Sequence, residues 1–206
     1  MTTKNDEIDV SFQRGITVVI PTIPPRRTLL HRAIDSVLDQ TLPATTISVP
    51  IDNRKQGAAV NRDRGLRTVT TEYVAFLDDD DFFKPNHLEA LMDTMVSEDA
   101  DYVFSWYEMN GGMDPRPNDF GMPWDNDNPR QTTITTLIKT ELAQNVGFID
   151  PNDGPLDSPD RLYAGEDWFM TKGCWEAGAK VVHRPEKTWY WSHWGGNTSG
   201  LGKNWS

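Results

Sequence analysis

The sequence predicts an α/β fold in which helices flank a central, mostly parallel sheet. Short apolar runs rich in β-branched residues, typical of buried strands, alternate with segments whose apolar residues recur at helical spacing. The connections between these segments are short, as expected for parallel strands joined by right-handed helical crossovers. A chain of 206 residues is long enough to form one domain with a sizeable core.

The first half of the chain carries the clearest alternation. Strands are predicted at residues 16–20, 47–51, 73–77 and 102–107. Helices are predicted at residues 27–39 and 58–69, and a third begins at Pro85, because proline favours the first turn of a helix. The helix at 27–39 is supported by a stripe of apolar residues at helical spacing: Leu29, Leu30, Ala33, Ile34, Val37 and Leu38.

The second half is less regular. Residues 110–131 are rich in Gly, Pro, Asn and Asp and predict a long loop, which in a compact domain is usually functional or disordered. Helices are predicted at 133–142 and 166–177, and strands at 179–182 and 188–194. We further expect a flexible arm at residues 1–14, a single domain at 15–194 and a mobile, glycine-rich tail at 195–206.

Charge is unevenly distributed along the chain. Residues 1–69 contain ten Lys and Arg against seven Asp and Glu, whereas residues 70–206 contain ten against twenty-four. The net positive first part could hold an anion such as a nucleotide phosphate. The acidic second part repels polyanions and counts against nucleic-acid binding.

The sequence also indicates a location. There is no apolar run of about 18 residues that could span a membrane, and the polar first twelve residues do not resemble a secretory signal. The single cysteine, Cys174, cannot form an internal disulfide, which fits a reducing compartment. We therefore expect a cytoplasmic protein.

Four consecutive aspartates at residues 78–81 directly follow the third predicted strand. Adjacent negative charges resist burial unless water or a cation compensates them, so these residues alone fit either a divalent-metal site or a solvated acidic loop. Thr22 follows the first predicted strand and Asp52 follows the second. Open α/β sheets bind ligands where the carboxyl ends of such strands meet, and this convergence favours the metal site.

Several motifs, in a fixed order, resemble those of the family 2 glycosyltransferases of the GT-A fold. The resemblance is closer over residues 15–110 than over 145–200. One departure is Asp63, where the family pattern has Asn. The motifs are Ile20-Pro21-Thr22, Ser36-Val37-Leu38-Asp39-Gln40-Thr41, Asp52, Gly57 followed by Asn61-Arg62-Asp63-Arg64-Gly65, Phe76-Leu77-Asp78-Asp79-Asp80-Asp81, Val146-Gly147-Phe148 and Glu166-Asp167.

The resemblance implies a GT-A domain with a nucleotide-binding half at 15–109 and an acceptor half at 110–194. It implies inverting transfer of a sugar from a nucleotide-diphosphate sugar, with a UDP-sugar favoured, to an acceptor hydroxyl, and Mn²⁺ or Mg²⁺ as cofactor. The alternatives are a nucleotide-sugar hydrolase and a non-catalytic nucleotide-sugar binding module. The sequence does not indicate the acceptor, which could be a glycan, a protein or a small molecule, nor the oligomeric state.

Roles for individual residues also follow from the resemblance. Asp167 is the candidate general base with Glu166 as its substitute, Asp80 is the candidate metal ligand, and Asp81 is expected to orient the loop. His193 is a candidate further metal ligand. The candidate nucleotide-sugar-binding residues are Pro21, Thr22, Arg26, Asp52, Arg62, Asp78 and Asp79.

Three of these residues have a structural alternative. Asp52 could form a turn, because Asp-Asn sequences suit turns. Asp167 could simply favour the first turn of a helix, where acidic residues are stabilising. His193 could make a structural hydrogen bond within an aromatic strand.

Overall fold

The computed structural model of the chain describes residues 12–114, 116–130, 132–150 and 165–193. The strands are β1 (Gln13–Val19), β2 (Thr46–Ser48), β3 (Thr71–Phe76), β4 (Phe82–Phe83), β5 (Tyr102–Asn110), β6 (Thr136–Lys139) and β7 (Val181–Ser192). The helices are α1 (Arg27–Leu38), α2 (Ala58–Leu66), α3 (His87–Ser97), α4 (Thr140–Val146) and α5 (Glu166–Glu176). A short 3₁₀ turn, Pro24–Arg26, leads into α1.

All seven described strands form one sheet in the order β2-β1-β3-β6-β5-β7-β4. β1 is parallel to β2 and β3, and β5 is parallel to β7. β6 is antiparallel to both β3 and β5, and β4 is antiparallel to β7. Five of the seven strands therefore point the same way, and the predicted α/β fold with a mostly parallel sheet is confirmed.

The helix predicted at 133–142 is wrong in its first part. β6 occupies Thr136–Lys139, and helix α4 begins only at Thr140. The segment before α4 is rich in Thr and Ile, and β-branched side chains favour the pleated surface of a sheet over a helix. Residues 136–139 therefore form strand β6, which pairs with β3 on one side and with β5 on the other.

The two strands predicted at 179–182 and 188–194 form one continuous strand, β7. The register against β5 shifts between Phe104 and Trp106, where β7 advances from His183 to Lys187. Pro185 lies in this irregular part, where its missing N–H need not join the ladder of hydrogen bonds. The strand therefore passes the proline without ending.

One predicted domain boundary, between the arm and the domain, can be compared with the structure. β1 begins at Gln13, whose N–H donates to Thr70 O at 2.8 Å, so the last two residues of the predicted arm belong to the sheet. The rest of the arm up to residue 11 and the predicted tail at 195–206 lie outside the described residues. Residues 111–114 and 116–130 contain no helix or strand, as predicted for the long loop.

The apolar run that leads to the four aspartates is fully buried. Val74, Ala75, Phe76 and Leu77 have no exposed surface, and Leu77 N–H donates to Val19 O at 3.1 Å beyond the end of β3. A strand held by core packing on every side fixes the position of the residue that follows it. Asp78 therefore starts from a rigid support.

None of the described helices combines the length with the apolar character that crossing a bilayer requires.

Candidate functional site

Three of the four aspartates point their carboxylates at one place. The nearest ligand atoms of Asp78, Asp80 and Asp81 all lie within 4.8 Å of one another. Asp80 and Asp81 are buried, and Asp78 is half-buried. Burial, followed by the charges of Asp78 and Asp80, raises the pKa of Asp81 well above its usual value. A convergent cluster of hard oxygen donors suits Mg²⁺ or Mn²⁺, so the residues fit a divalent cation.

Asp81 also has a structural partner. The backbone N–H of Ser192, at the end of β7, donates to Asp81 Oδ1 at 2.7 Å. This contact ties Asp81 to the end of β7, and its role in orienting the loop stays a prediction. The structure adds the convergence of Asp81 with Asp78 and Asp80, a grouping that the family pattern did not give.

Asp79, the remaining aspartate, is held by the residues that follow β1. Thr22 Oγ1 donates to Asp79 Oδ2 at 2.7 Å, and Arg26 Nη1 lies 2.9 Å from Asp79 Oδ1. The same Arg26 nitrogen lies 3.4 Å from Asp80 Oδ2. Burial raises the pKa of Asp79, while Thr22 and Arg26 oppose that rise. The structure thus brings together Thr22, Arg26 and Asp79, three residues for which donor binding was predicted.

Thr22 lies beside Ile51 and Asp52, which follow β2. Thr22 forms a parallel bridge with Ile51, and Asp52 N–H donates to Thr22 O at 2.9 Å. Asn61 on α2 also donates to Thr22 O, at 3.2 Å. Pro21 is half-buried next to this bridge. The predicted base-binding residues Pro21, Thr22 and Asp52 therefore lie at one edge of the sheet.

The carboxylate of Asp52 organises the loop that follows it. It accepts backbone N–H groups from Gly57 at 2.9 Å, Gln56 at 3.0 Å and Arg54 at 3.2 Å. Burial acts to raise the pKa of Asp52, but these donors outweigh burial and hold the pKa below its usual value. This is the turn-forming arrangement named as the alternative. A carboxylate has about four acceptor positions, so one more donor can still be accommodated.

Arg62 on α2 connects two parts of the site. It is buried, and its guanidinium pairs with Asp78 through one terminal nitrogen and with Glu166 through the other. Burial would lower the pKa of Arg62, but the charges of these two carboxylates raise it overall. The family pattern suggested a contact with diphosphate or base and did not indicate this bridge, which joins residues 104 positions apart in the sequence.

Asp167 lies in the first turn of α5, half-buried beside Glu166. Trp168 N–H donates to Asp167 Oδ1 at 2.9 Å. Burial, followed by the charge of Glu166, raises the pKa of Asp167 to about 6, although Arg62 acts in the opposite direction. A carboxylate with this pKa can exchange a proton near neutral pH.

His193 is exposed and directly follows the last residue of β7. Its backbone N–H donates to Asn110 O at 3.2 Å. Its ring packs on Gly112, whose φ is +63° and where an added Cβ would lie 2.7 Å from His193 Nδ1. Among the described residues, the metal-binding group contains only Asp78, Asp80 and Asp81, so the structure does not bring His193 into it.

Ser36 on α1 and Gln40, two residues beyond its end, hold the segment that follows the acidic loop, residues 78–81. Ser36 Oγ accepts the Phe83 N–H at 3.0 Å, and Gln40 Nε2 donates to Lys84 O at 2.7 Å. Gln40 Oε1 also accepts the Leu88 N–H, at 2.9 Å. The resemblance includes both residues but implies no role for them. The available signal was the motif from Ser36 to Thr41 itself, which spans the end of α1 and brings both side chains to the segment after the aspartates.

Asp63, the departure from the family pattern, joins α2 to the Val-Gly-Phe motif. Asp63 Oδ1 accepts the Phe148 N–H at 3.2 Å and a donor from Arg67 at 3.1 Å. Arg67 in turn donates to Gln144 O at 2.6 Å. Gly147 has a φ of +70°, and an added Cβ there would lie 2.7 Å from the Arg67 guanidinium. Two motifs that are far apart in the sequence are thus one structural unit.

The sequence model of the family described as Glycosyl transferase family 2 matches residues 47–148. This range includes Asp52, Arg62 and the acidic loop, but neither the Pro21-Thr22 motif nor the Glu166-Asp167 pair. No curated protein sequence matches the chain.

Solved glycosyltransferase structures share the fold. S. aureus TarS 1-349 in complex with UDP-GlcNAc matches with a TM-score of 0.72 and 16% identity, over 91% of this chain and 61% of that one. The same TarS fragment in another crystal structure matches with a TM-score of 0.69 and 16% identity, over 86% and 60%. The mannosyltransferase PcManGT from Pyrobaculum calidifontis, in complex with GDP-Man and Mn²⁺, matches with a TM-score of 0.61 and 15% identity, over 89% and 58%.

This chain spans about 60% of the length of the TarS fragment. At these identities the structural likeness establishes the fold, and the sequence match to the family covers the acidic loop itself. The chain therefore has the GT-A fold of these glycosyltransferases, and just under half of it, residues 47–148, matches the family 2 model.

Proposed function

We propose that this chain transfers a sugar from a nucleotide-diphosphate sugar to an acceptor hydroxyl, in a reaction that depends on a divalent metal and inverts the anomeric centre. One observation carries the proposal: the three converging carboxylates are joined through Arg62 to the turn that bears Asp167. The arrangement sets a site for a cation and a site for a proton beside each other. A hydroxyl group that attacks a phosphate-bound sugar requires both.

Asp78, Asp80 and Asp81 would hold Mn²⁺ or Mg²⁺, with Asp80 as a direct ligand. When bound, the cation neutralises the negative charge that develops on the leaving diphosphate. The presence of Mn²⁺ with GDP-Man in the PcManGT structure supports this assignment. The buried carboxylates of this chain keep the required ligands at one place.

The donor would lie along the edge formed by Pro21, Thr22 and Asp52, with Arg26 beside the diphosphate or base. Asp79 would lie nearer the nucleotide, and Asp78 nearer the ribose or the sugar. A UDP-sugar is the favoured donor, because TarS, whose fold this chain shares, is bound to UDP-GlcNAc in one of the matching structures. Asp52 retains the capacity to accept one further N–H, as a uracil ring would offer. Arg62 contributes its charge next to Asp78.

Asp167 would accept the proton of the acceptor hydroxyl as that hydroxyl attacks from the face opposite the diphosphate. Its pKa of about 6 leaves most of the carboxylate ionised at neutral pH and still basic enough to take a proton. Glu166 is committed to Arg62, which leaves Asp167 as the better placed of the pair. The sugar would be released from the diphosphate in the same displacement.

A panel of nucleotide sugars, each measured with and without Mn²⁺, tests the proposal. A donor at about 100 times its Kd stabilises the protein by about 2.7 kcal/mol, which raises the Tm by roughly 5–10 °C for a domain of this size. We expect this shift for a UDP-sugar only when Mn²⁺ is present, followed by release of nucleoside diphosphate when an acceptor is added.

The other outcomes separate the alternatives. Nucleoside diphosphate release that does not depend on any added glycan, protein or small-molecule acceptor would indicate a hydrolase. Mn²⁺-dependent binding without any release would indicate a binding module. A protein that responds to no nucleotide sugar would contradict the proposal.

A further inference from the structure

Arg32 on α1 reaches the acidic loop through the main chain. Its Nη2 atom donates to Asp80 O at 2.8 Å and to Ser192 Oγ at 3.0 Å. One guanidinium nitrogen thus holds both the backbone of a candidate metal ligand and the last residue of β7. Arg32 precedes Ser36 by four residues on α1, so the two side chains lie on the same face of the helix.

The Arg32 side chain is held in place by an aromatic pair. Its guanidinium carbon lies 4.3 Å from the centroid of the Phe82 ring. Phe82 stacks on Tyr190 of β7, with ring centroids 4.5 Å apart. A guanidinium over an aromatic face is attracted by the ring, which fixes the direction of its hydrogen bonds.

The contacts of Arg32 link it to two candidate metal ligands, to Asp80 directly and to Asp81 through Ser192. Arg32 binds the Asp80 carbonyl and the Ser192 hydroxyl, and Ser192 N–H donates to Asp81 Oδ1 at 2.7 Å. Asn110 at the end of β5 donates to the same Ser192 hydroxyl at 3.2 Å. Asp80 and Asp81 are thus tied to α1, β5 and β7 together, and Arg32 is common to two of these links.

We propose that Arg32 is a positioning residue that holds the Asp80 and Asp81 carboxylates in the arrangement a divalent cation needs; this inference rests on the metal use in the proposed function. If Arg32 acted only through its charge, it would weaken metal binding, whereas a positioning residue strengthens it. With the three carboxylates ionised, a positive charge beside the cluster repels a cation, so its removal should strengthen metal binding. A positioning role makes removal weaken metal binding, and the two accounts therefore differ in sign.

The test is Mn²⁺ affinity without any donor or acceptor, measured from the electron paramagnetic resonance signal of free Mn²⁺. Groups that orient metal ligands typically contribute 10–100-fold to affinity, and we expect Arg32→Ala to bind Mn²⁺ about 10-fold more weakly than the unchanged protein. Arg32→Lys should recover part of the loss, because lysine keeps one donor but not the planar fork. Arg27→Ala, an exposed arginine at the start of the same helix, is the matched control and should bind no more weakly than the unchanged protein.

Hydrogen exchange at the Ser192 amide separates a local effect from a loss of folding. We expect faster exchange of this amide in Arg32→Ala and an unchanged thermal unfolding midpoint within about 2 °C, as for a surface substitution. If the unchanged protein binds Mn²⁺ and Arg32→Ala binds it equally well or more tightly, the positioning role is overturned while the proposed function stands. If the unchanged protein does not bind Mn²⁺, the metal dependence in the proposed function is overturned and this inference with it.

Discussion

The acidic loop after β3 and the first turn of α5 both place carboxylates side by side, yet they are built differently. In the loop, the oxygens of Asp78, Asp80 and Asp81 lie within 4.8 Å of one another. In α5, Glu166 pairs with Arg62, and Asp167 accepts a backbone N–H. The loop presents a convergent group of charges, whereas α5 presents one carboxylate whose neighbour is already neutralised.

This difference assigns a different ligand to each region. A divalent cation reduces the repulsion among several clustered carboxylates, because one ion can bind all of them at once. A single carboxylate with a pKa raised to about 6 binds a proton readily near neutral pH. Arg62 lies between the two regions and keeps them close without merging them.

Asp167→Asn should produce the largest loss of activity and leave the metal site intact. The amide cannot accept the acceptor proton, and removal of a general base typically lowers turnover 10²–10⁴-fold, so we expect a loss of about 10³-fold. Turnover is followed by nucleoside diphosphate release, and Mn²⁺ affinity by titration. Glu176→Gln, at the exposed end of the same helix, is the matched control. Turnover within about threefold of the parent would exclude Asp167 as the base.

Asp80→Asn should break the other region. It removes the carboxylate proposed to bind the cation directly, whose loss should cost at least as much as that of an orienting group, and we expect Mn²⁺ affinity to fall by about 100-fold. The measurement is a Mn²⁺ titration, with Asp93→Asn on the exposed face of α3 as the control. Unchanged Mn²⁺ affinity in Asp80→Asn would show that the convergent carboxylates do not form the metal site.

The pH dependence of kcat/KM sharpens the comparison further. Burial and the charge of Glu166 raise the pKa of Asp167 to about 6, so the base becomes protonated as the pH falls through that value. With Mn²⁺ saturating, kcat/KM should fall about tenfold for each pH unit below about 6. Direct Mn²⁺ titration across the same range identifies any loss that comes from the acidic loop. A flat profile down to pH 5 would contradict the assignment of Asp167.

The acidic loop itself could be predicted from the sequence because its signal is local. An apolar run followed at once by four aspartates predicts where the strand ends and which side chains lie at that end. The meeting of Thr22 with Asp79 followed from a general rule about the carboxyl ends of parallel strands. Such inferences need only neighbouring residues and the direction of the chain.

The links between distant segments could not be predicted in the same way. The Arg62 bridge to Glu166 and the Ser192 contact with Asp81 join residues more than 100 positions apart, and no periodicity in the sequence marks either one. Strand β6 was missed for a related reason, because a Thr- and Ile-rich segment is decided by the neighbours that offer it a place in the sheet. Tertiary contacts determined these features, and the sequence pattern alone does not contain them.

Asp63→Asn should have the smallest effect and tests whether the departure from the family pattern concerns structure or activity. Asparagine can still accept the Phe148 N–H but loses the ion pair with Arg67, a pair that is partly exposed. Exposed ion pairs contribute about 0.2–1 kcal/mol, so we expect the free energy of unfolding in urea to fall by less than about 1 kcal/mol. The Asp63 carboxylate contacts Arg67 and Phe148, which lie in neither the acidic loop nor the first turn of α5. Turnover should therefore stay within about twofold, because uncoupled sites contribute separately. A loss of activity of tenfold or more at unchanged stability corresponds to roughly 1.4 kcal/mol of transition-state stabilisation. It would mean that the contacts of Asp63 with Phe148 and Arg67 set the distance between the proposed cation-binding and proton-binding regions.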